Sequence, residues 1–489
     1  MNLGFPAWII AAHWINVLFI GFLIRAGIQI FGAYPRLYWN EHSTPGTEWL
    51  KFPKEPIPTD RPWTALEQER DVSPWIGQPG GNNLGLGRHW HFFAAIIWIL
   101  NGLVYVVLLF ATGEWQRLIP TSWSVFPDAW RTLVTYASLQ QPPPSAFHPY
   151  DPLQQLAYAA VFFLLGPFLL LTGAAQSPGI AAQFPRYVRL FGGRQGARSL
   201  HFLGLLAFVV FIVGHTFMVV YTGFGRNMGD MILGQHERDQ GLAVGIGLSL
   251  IAAILGIYAI TSWSSRRSPR FFQHLLGTII RPVMRSLALR TRSRQSYRPD
   301  EVSPYFPVNG VPPVSDEYRG VQADGFATWR LEVSGLVEVP MSLSMDDVRR
   351  LPQQTQITKH HCIQGWSAVA SWMGSPLGVI LDACRPLPSA RYLVFHSYGL
   401  DSTGQHHFYG SLDLRQARHP QTILAYEMNS EPLPVSYGAP LRLRVETELG
   451  FKMVKWLRRI EFVDDYRAIG EGQGGSREDN MYYEQSVGI

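Results

Sequence analysis

Cysteine is nearly absent. Among 489 residues there are only Cys362 and Cys384, so no disulfide framework organises the chain and no Cys-x-x-Cys-His run offers covalent cofactor attachment. A large excess of one charge is missing too. With 41 Lys and Arg against 36 Asp and Glu, basic residues sit in local clusters, which points to orientation in a membrane and not to a nucleic-acid partner. The N-terminal apolar run lacks a basic leader and a small-residue cleavage site and carries His13 and Arg25, so a cleaved signal peptide is not expected. Finally, no long apolar run occurs after Ser264.

Before Ser264 the apolar runs are long. Five, at about 7–31, 90–112, 153–175, 199–222 and 242–263, have the roughly 20 residues that a helix needs to cross a ~30 Å hydrocarbon layer. The polar connection Gly32–Arg88, rich in Pro, Trp and Gly, reads as an ordered cap. The connection from Ala174 to Ser199 carries Arg186, Arg189, Arg194 and Arg198 and no acid, whereas Gly113–Pro152 and Thr222–Gln240 are slightly acidic. Basic and acidic sides therefore alternate.

The sequence predicts a multi-domain chain: an all-α transmembrane bundle over 1–265, a basic linker over 266–323, an α+β domain over 324–470 and a polar tail over 471–489. The linker contains Arg266, Arg267, Arg270, Arg281, Arg285, Arg290, Arg292, Arg294 and Arg298 without an intervening acid. By the positive-inside rule it faces the cytoplasm, and Phe271–Leu289 is either an amphipathic helix on the anionic membrane surface or a solvated linker. From Asp324 short β-rich runs appear at Trp329–Val333, Arg391–His396, Thr422–Tyr426, Leu441–Val445 and Lys455–Phe462. Ser344, with Asp347 three residues on, predicts a short capped helix to Leu351.

His201 and His215 lie 14 residues apart, which on an α-helix is about 21 Å of rise and within roughly 40° of one face. His91 and His201 lie near the side of the long first connection, and His13 and His215 near the other, so the four sort into two pairs by depth. An interhelical hydrogen bond explains any one of them. Two depth-matched pairs fit axial ligation of haem between facing helices, since ionisable residues inside spans are rare and usually functional. His89 competes with His91, and Arg25 either neutralises a haem propionate or snorkels outward.

Gly87, Arg88 and His91 followed by Phe92 and Phe93, with His201 and His215 in one helix, resemble the cytochrome b subunit of formate dehydrogenase-N and related hydrogenase cytochromes over about residues 7–225. The resemblance implies two bis-histidine b haems, held by His91 with His201 and by His13 with His215. The fifth span departs from that four-helix pattern and leads into the second domain.

Cys362 stands in Lys359-His360-His361-Cys362-Ile363-Gln364-Gly365-Trp366-Ser367, at the end of an expected strand. Alone it is either a small buried residue or a thiolate ligand for a soft metal. Together with Trp372, Gly374 and Pro376-Leu377, Leu424-Ala425-Tyr426-Glu427-Met428-Asn429, Gly438 with Pro440-Leu441-Arg442, and Gly450, Lys452 and Lys455-Trp456-Leu457, it resembles the molybdopterin-binding domain of the sulfite oxidase superfamily, which includes the bacterial methionine-sulfoxide reductase catalytic subunits. The likeness covers about 325–465. It implies that Cys362 binds molybdenum beside the dithiolene of one molybdopterin, that Gly450, Lys452 and Lys455 hold the pterin phosphate, and that His360, His361 and Arg442 line the cofactor. Gln364-Gly365-Trp366 replaces the basic cluster of eukaryotic sulfite oxidases, which puts sulfite as substrate in doubt. His406, His407 and Tyr409 either reach the substrate or serve the strand and loop.

These resemblances imply a membrane-bound molybdopterin oxidoreductase, with a small-molecule oxo substrate and a quinone or another redox partner; the alternative is a non-enzymatic electron conduit whose soluble domain binds a partner protein. Parity over five spans puts the molybdenum domain beside the His91 and His201 pair. The formate dehydrogenase cytochrome would place that side outside, the arginines inside. Following the charges, the expectation is an inner-membrane protein with a cytoplasmic molybdenum domain.

Overall fold

The computed structural model describes residues 4–52, 56–58, 63–143, 150–235, 239–288 and 296–485. Arg290, Arg292 and Arg294 of the basic run, and the side chain of Arg285, lie outside this described part. Five helices cross the N-terminal region: α1 (Ala7–Gly32), α2 (Leu84–Ala111), α3 (Pro152–Ala175), α4 (Gly193–Tyr221) and α5 (Gln240–Arg267). The shortest has 24 residues, about 36 Å at 1.5 Å per residue, enough to span the hydrocarbon layer. Their outward faces expose Leu103, Val107, Val210, Val213, Leu255 and Ile260, a surface that acyl chains can cover but water cannot solvate cheaply.

Helices α2 and α4 begin six residues before their apolar runs, so His91 and His201 sit more than a turn inside them, not in the first turn as expected. Apolar run length misses Leu84–His89 and Gly193–Arg198 because Gly and Arg interrupt the runs there without interrupting the helices. Asn83 caps α2, accepting from the Leu86 amide at 3.2 Å, and Asp151 caps α3, accepting from Gln154 at 2.7 Å. These side chains satisfy amides that would otherwise lack partners. Just ahead of Pro167, α3 widens into a π turn over Val161–Leu165, where a proline that cannot donate disturbs the ladder.

Helix α1 packs along α2, and α3 along α4. Helix α5 docks on this pair from outside: the Tyr258 hydroxyl donates to the Leu18 carbonyl at 2.8 Å, and the Trp90 indole donates to Ser265 at 3.1 Å. A Cβ on Gly21 would fall 2.0 Å from that hydroxyl, so only glycine admits it. Among the described residues, the backbone of α4 approaches neither α1 nor α2 as closely as these neighbours approach one another. Its histidines span the gap.

The basic linker is a helix, α6 (Pro269–Ala288). It is neither a solvated segment nor a helix lying on lipid alone, because Leu276 and Ile280 are buried with Phe22, Leu86 and Trp90 while Phe271, Leu275 and Ile279 remain exposed. One face is thus taken by the bundle and the other is left apolar at the membrane edge.

The soluble domain is α+β, as expected. Its strands are β1 (Leu331–Gly335), β2 (Met341–Leu343), β3 (Gln354–His361), β4 (Ser367–Pro376), β5 (Tyr392–Leu400), β6 (His407–Asp413), β7 (Thr422–Met428), β8 (Arg442–Val445) and β9 (Leu457–Val463). One sheet runs β3-β4-β7 with β8 on the outer edge of β7, and the other runs β2-β1-β9-β5-β6, parallel only between β1 and β9. The expected helix is Met345–Arg350, with Ser344 and Asp347 forming the reciprocal cap. Leu331, Val333, Phe395, Leu424, Leu443 and Ile460 fill the core.

The polar tail is not a loose appendage. A helix at Ser476–Met481 buries Glu478 and Asp479; Glu478 pairs with Lys452, Asp479 accepts from the Tyr409 hydroxyl at 2.5 Å, and the Arg270 guanidinium of α6 donates to the Asp479 carbonyl at 2.7 Å. Composition called this segment polar because its charges are spent inside the protein.

Candidate redox centres

The four span histidines meet in the two pairs expected from depth. The ring centroids of His91 and His201 are 6.4 Å apart, and those of His13 and His215 are 6.3 Å apart. Two imidazoles bonded at about 2 Å to one metal between them would have centroids about 6 Å apart. The ring nitrogens are already sorted: His201 Nδ1 lies 3.1 Å from the Thr172 hydroxyl and His215 Nδ1 lies 3.3 Å from the Tyr158 hydroxyl, which leaves each Nε2 for a metal and fixes the ring's orientation. Gly27 and Gly173 face His91 and His201, and a Cβ on Gly173 would stand 3.2 Å from the His201 ring. The interhelical gap, the spacing and the free nitrogens fit haem. Thr172, Tyr158 and the two glycines were missed by sequence reasoning, since none belongs to a motif.

His89 does not compete as a ligand. Its Nδ1 is 2.9 Å from the Gly85 carbonyl and its Nε2 is 3.2 Å from Glu484. Arg25 does not snorkel outward; its guanidinium donates to the Pro74 and Gly77 carbonyls and to Ser262 at 2.7–3.0 Å, tying α1 to the first connection and to α5.

Cys362 lies just beyond β3 in a tight turn, its amide donating to the Trp366 carbonyl at 3.1 Å and its own carbonyl accepting from Gly365 at 3.1 Å. Gly365 adopts φ +107°, a backbone that favours glycine. The thiol is buried, receives the Asn309 amide at 3.3 Å and lies 3.6 Å from Gln364 Oε1. Burial pushes it up to about 12, so without a metal it is a thiol; a soft cation at Sγ would have to displace the proton. Among the described residues no three His, Cys, Asp or Glu side chains converge as a metal site, so a metal at Cys362 would take its other ligands from a cofactor.

Asn309, which meets the thiol, neighbouring His361, Trp372 of the same buried cluster and Arg442 over the Trp372 ring each hold a buried polar atom without a partner: Asn309 Oδ1, His361 Nδ1, Trp372 Nε1 and Arg442 Nε. Such atoms cost free energy unless something polar meets them. Arg442 stands over the Trp372 ring at 4.9 Å and donates to the Tyr437 carbonyl at 2.9 Å, and Lys455 donates to the Asn309 and Ser436 carbonyls. Neither has a carboxylate in salt-bridge range among the described residues. Burial beside Arg442 holds the Lys455 amine well below its ordinary range. Two buried cationic side chains fit an anionic group such as a phosphate.

Lys452, expected at the same phosphate, is paired with buried Glu478. Gly450 passes directly over His360, where a Cβ would fall 2.2 Å from the ring, and His360 Nδ1 meets Arg444 at 3.1 Å. Burial and nearby cations hold His360 and His361 well below the ordinary histidine range, as neutral acceptors. His407 is exposed at the start of β6, and Tyr409 is tied to Asp479 and to the Ile469 carbonyl; Tyr409 serves the fold.

The Cys362 turn rests on the cytoplasm-predicted end of the bundle. The Gly365 carbonyl accepts from Gln195 at 2.9 Å and from Arg194 at 3.2 Å, and Gln195 also donates to Ser367 at 2.9 Å. A Cβ on Gly365 would stand 3.3 Å from the Arg198 guanidinium. His201 follows Arg198 on α4 by three residues, about 4.5 Å of rise.

Histidine pairs between membrane helices, beside a buried cysteine under a cationic pocket, define a membrane redox protein with two kinds of centre. Two family models match its parts: prokaryotic cytochrome b561 over residues 4–234 and the oxidoreductase molybdopterin binding domain over residues 318–468. The chain is thus a multi-pass membrane cytochrome b fused to a molybdopterin-binding oxidoreductase domain. A protein-methionine-sulfoxide reductase subunit of Azospira oryzae is 36% identical over 167 residues, 34% of this chain and 58% of that one. The catalytic subunits of the protein-methionine-sulfoxide reductases of Campylobacter jejuni and Xanthomonas campestris are 31% and 33% identical, each over 31% of this chain and over 55% and 49% of theirs. The chain thus spans about half the length of the curated relatives it matches.

Proposed function

We propose that this protein is a membrane-bound molybdopterin-dependent oxidoreductase that couples oxygen-atom chemistry on a small oxo compound to two b haems and, through them, to a quinone or another partner. Cys362 would hold the molybdenum, Arg442 and Lys455 the pterin phosphate, His91 with His201 the near haem, and His13 with His215 the far one. When bound, the molybdenum cofactor supplies two-electron oxygen-atom exchange and the haems supply one-electron carriage. A sulfoxide reduced in this way takes up two electrons and two protons, its S=O bond breaks, and sulfide and water leave.

The observation that carries the reading is the docking of the Cys362 turn on α4 through Gln195, Arg194 and Gly365, roughly two helical turns before His201. The chain's own part is to hold the two regions in fixed register, to keep water from the thiol and to orient the imidazoles through Thr172 and Tyr158. A cytoplasmic soluble domain is also proposed, supported by Arg186, Arg189, Arg266 and Arg267, which stay exposed on that side as the positive-inside rule requires. A C-terminal reporter active only outside the cell would reverse this orientation. The central test is metal, pterin and optical analysis of purified protein. Wild type should carry molybdenum, pterin and b haem, Cys362→Ser should lose molybdenum and keep the haem spectrum, and metal-free wild type from a molybdenum-replete host would overturn the proposal.

A further inference from the structure

The polar groups nearest the Cys362 thiol come largely from outside the molybdopterin-binding domain. Gln364, beside the thiol, donates to the Ala65 carbonyl at 3.2 Å and to Glu69 at 2.8 Å, both on the first connection, and the Ala65 amide donates to the Val308 carbonyl at 2.8 Å, next to Asn309. From the C-terminal segment, Tyr483 stacks on Phe451 at 5.1 Å. Its hydroxyl lies within electrostatic reach of Arg88, Arg477, Cys362 and Glu69, and its carbonyl accepts from Gln273 of α6 at 3.1 Å. Trp63 and Tyr483 are 7% and 3% exposed, yet the indole Nε1 and the phenol Oη have no partner. Both residues belong to the same buried cluster as Cys362, and two buried donors without partners there mark a place for a polar ligand.

We propose that the first connection and the C-terminal segment wall the Cys362 chamber into a site for small oxo solutes, such as free sulfoxides, with Trp63 Nε1, Tyr483 Oη and Arg477 as polar groups facing the ligand, and that a methionine sulfoxide within a folded protein is excluded. This rests on the oxygen-atom reading above and deepens it. A protein side chain reaches a metal only where backbone can follow it to the surface, and among the described residues Cys362 is buried in a cluster shared with Trp63 and Ala65 of the first connection and Met481 and Tyr483 of the C-terminal segment. The tail is anchored within its helix by Glu478 to Lys452 and three residues beyond it by Glu484 to His89, so opening the wall means breaking a buried ion pair. The donors suit an S=O oxygen, which accepts hydrogen bonds and, on reduction, leaves as water with two protons and two electrons drawn from the haem side.

The test uses detergent-solubilised holoprotein reduced with dithionite, haem reoxidation being followed optically after adding dimethyl sulfoxide, free methionine sulfoxide or an oxidised folded protein. The two small compounds should reoxidise the haems, and the protein-bound sulfoxide should do so roughly a hundredfold more slowly in kcat/KM; rates within about threefold would overturn the proposal. Tyr483→Phe should raise KM for small sulfoxides, and Tyr483→Ala should admit the larger substrate. A second readout needs no turnover: in metal-free protein carrying Cys384→Ala, a small maleimide should modify Cys362 far faster than a polymer-linked one, and Tyr483→Ala should narrow the difference. If no sulfoxide reoxidises the haems of molybdenum-loaded protein, the oxygen-atom reading fails. If the polymer reagent labels as fast as the small one, the enclosed chamber fails instead.

Discussion

The membrane bundle and the soluble domain prepare for cofactors in opposite ways. In the bundle, the backbone of α4 stands off from α1 and α2, and the space is crossed by the paired imidazoles and, at one end, by Phe31 against Phe202 and Arg198; the site is a gap in packing, with two of its rings already oriented by Thr172 and Tyr158. In the soluble domain packing is dense to the edge of the Cys362 chamber, and the site announces itself by unsatisfied atoms on Arg442, His361, Asn309 and Trp372. Helices can leave room for a flat macrocycle because each satisfies its own backbone. A sandwich cannot part its sheets without breaking its core, so it offers donors on a rim.

The comparison is broken most directly at the histidines. On the proposed reading, in which each would supply one axial ligand to a separate centre, His201→Leu and His215→Leu should each remove about half of the haem per chain, and His201→Leu alone should abolish electron exchange between the soluble domain and the remaining haem. Pyridine haemochrome quantification together with stopped-flow reduction measures both. Loss of all haem in either variant would mean that the two pairs do not form independent sites.

Much of this was legible in the sequence, for physical reasons that differ by region. His201 and His215 share a face because a helix has a fixed period, and their depth could be counted from the ends of apolar runs, so the pairs at 6.3 and 6.4 Å could be named from spacing alone. Run length failed only where Gly and Arg carry α2 and α4 past the apolar stretch. The strands at Leu331, Tyr392, Thr422, Arg442 and Leu457 announced themselves by β-branched and aromatic texture, while β4 and β6, interrupted by Trp, Met and Gly or preceded by polar residues, did not. Long-range charge pairing was invisible. Nothing local in Lys452 or in Arg477-Glu478-Asp479 tells that Lys452 and Glu478 pair across 26 positions.

That pair gives the next largest effect. Both partners are 1% exposed, so Glu478→Ala strands a buried ammonium and should cost about 3–5 kcal/mol, whereas Glu478→Ala with Lys452→Met should recover most of the loss. Denaturant titration of the detergent-solubilised protein, read at the soluble domain's tryptophans, checks it. A penalty under about 1 kcal/mol would place the pair in contact with water. A smaller change is expected in the bundle from Thr172→Val, which removes the partner of His201 Nδ1. Loss of such a supporting hydrogen bond typically weakens metal affinity about 10- to 100-fold, and Tyr158→Phe should do the same at the other pair. Redox titration should show each variant shifting one haem only, so the two curves together tell whether the gap is two sites or one.

The smallest expected effect lies where neither kind of site reaches, at the cap of Met345–Arg350. The Asp347 carboxylate accepts from the Ser344 hydroxyl and amide, and these bonds, led by the hydroxyl, hold it below the usual carboxylate range. A depressed folded pKa contributes stability that is present above the unfolded value near 3.9 and is lost as pH falls through the folded one. Hydrogen exchange of the Val348–Arg350 amides should therefore be steady from neutral pH down to about 4 after correction for intrinsic rates, and quicken below it. Ser344→Ala should weaken the cap by about 1 kcal/mol at neutral pH and flatten the acid dependence. The histidine pairs and the Cys362 chamber, on separate elements, should keep their spectra throughout, because a cap this far from either centre shares no partner with them and its loss is additive.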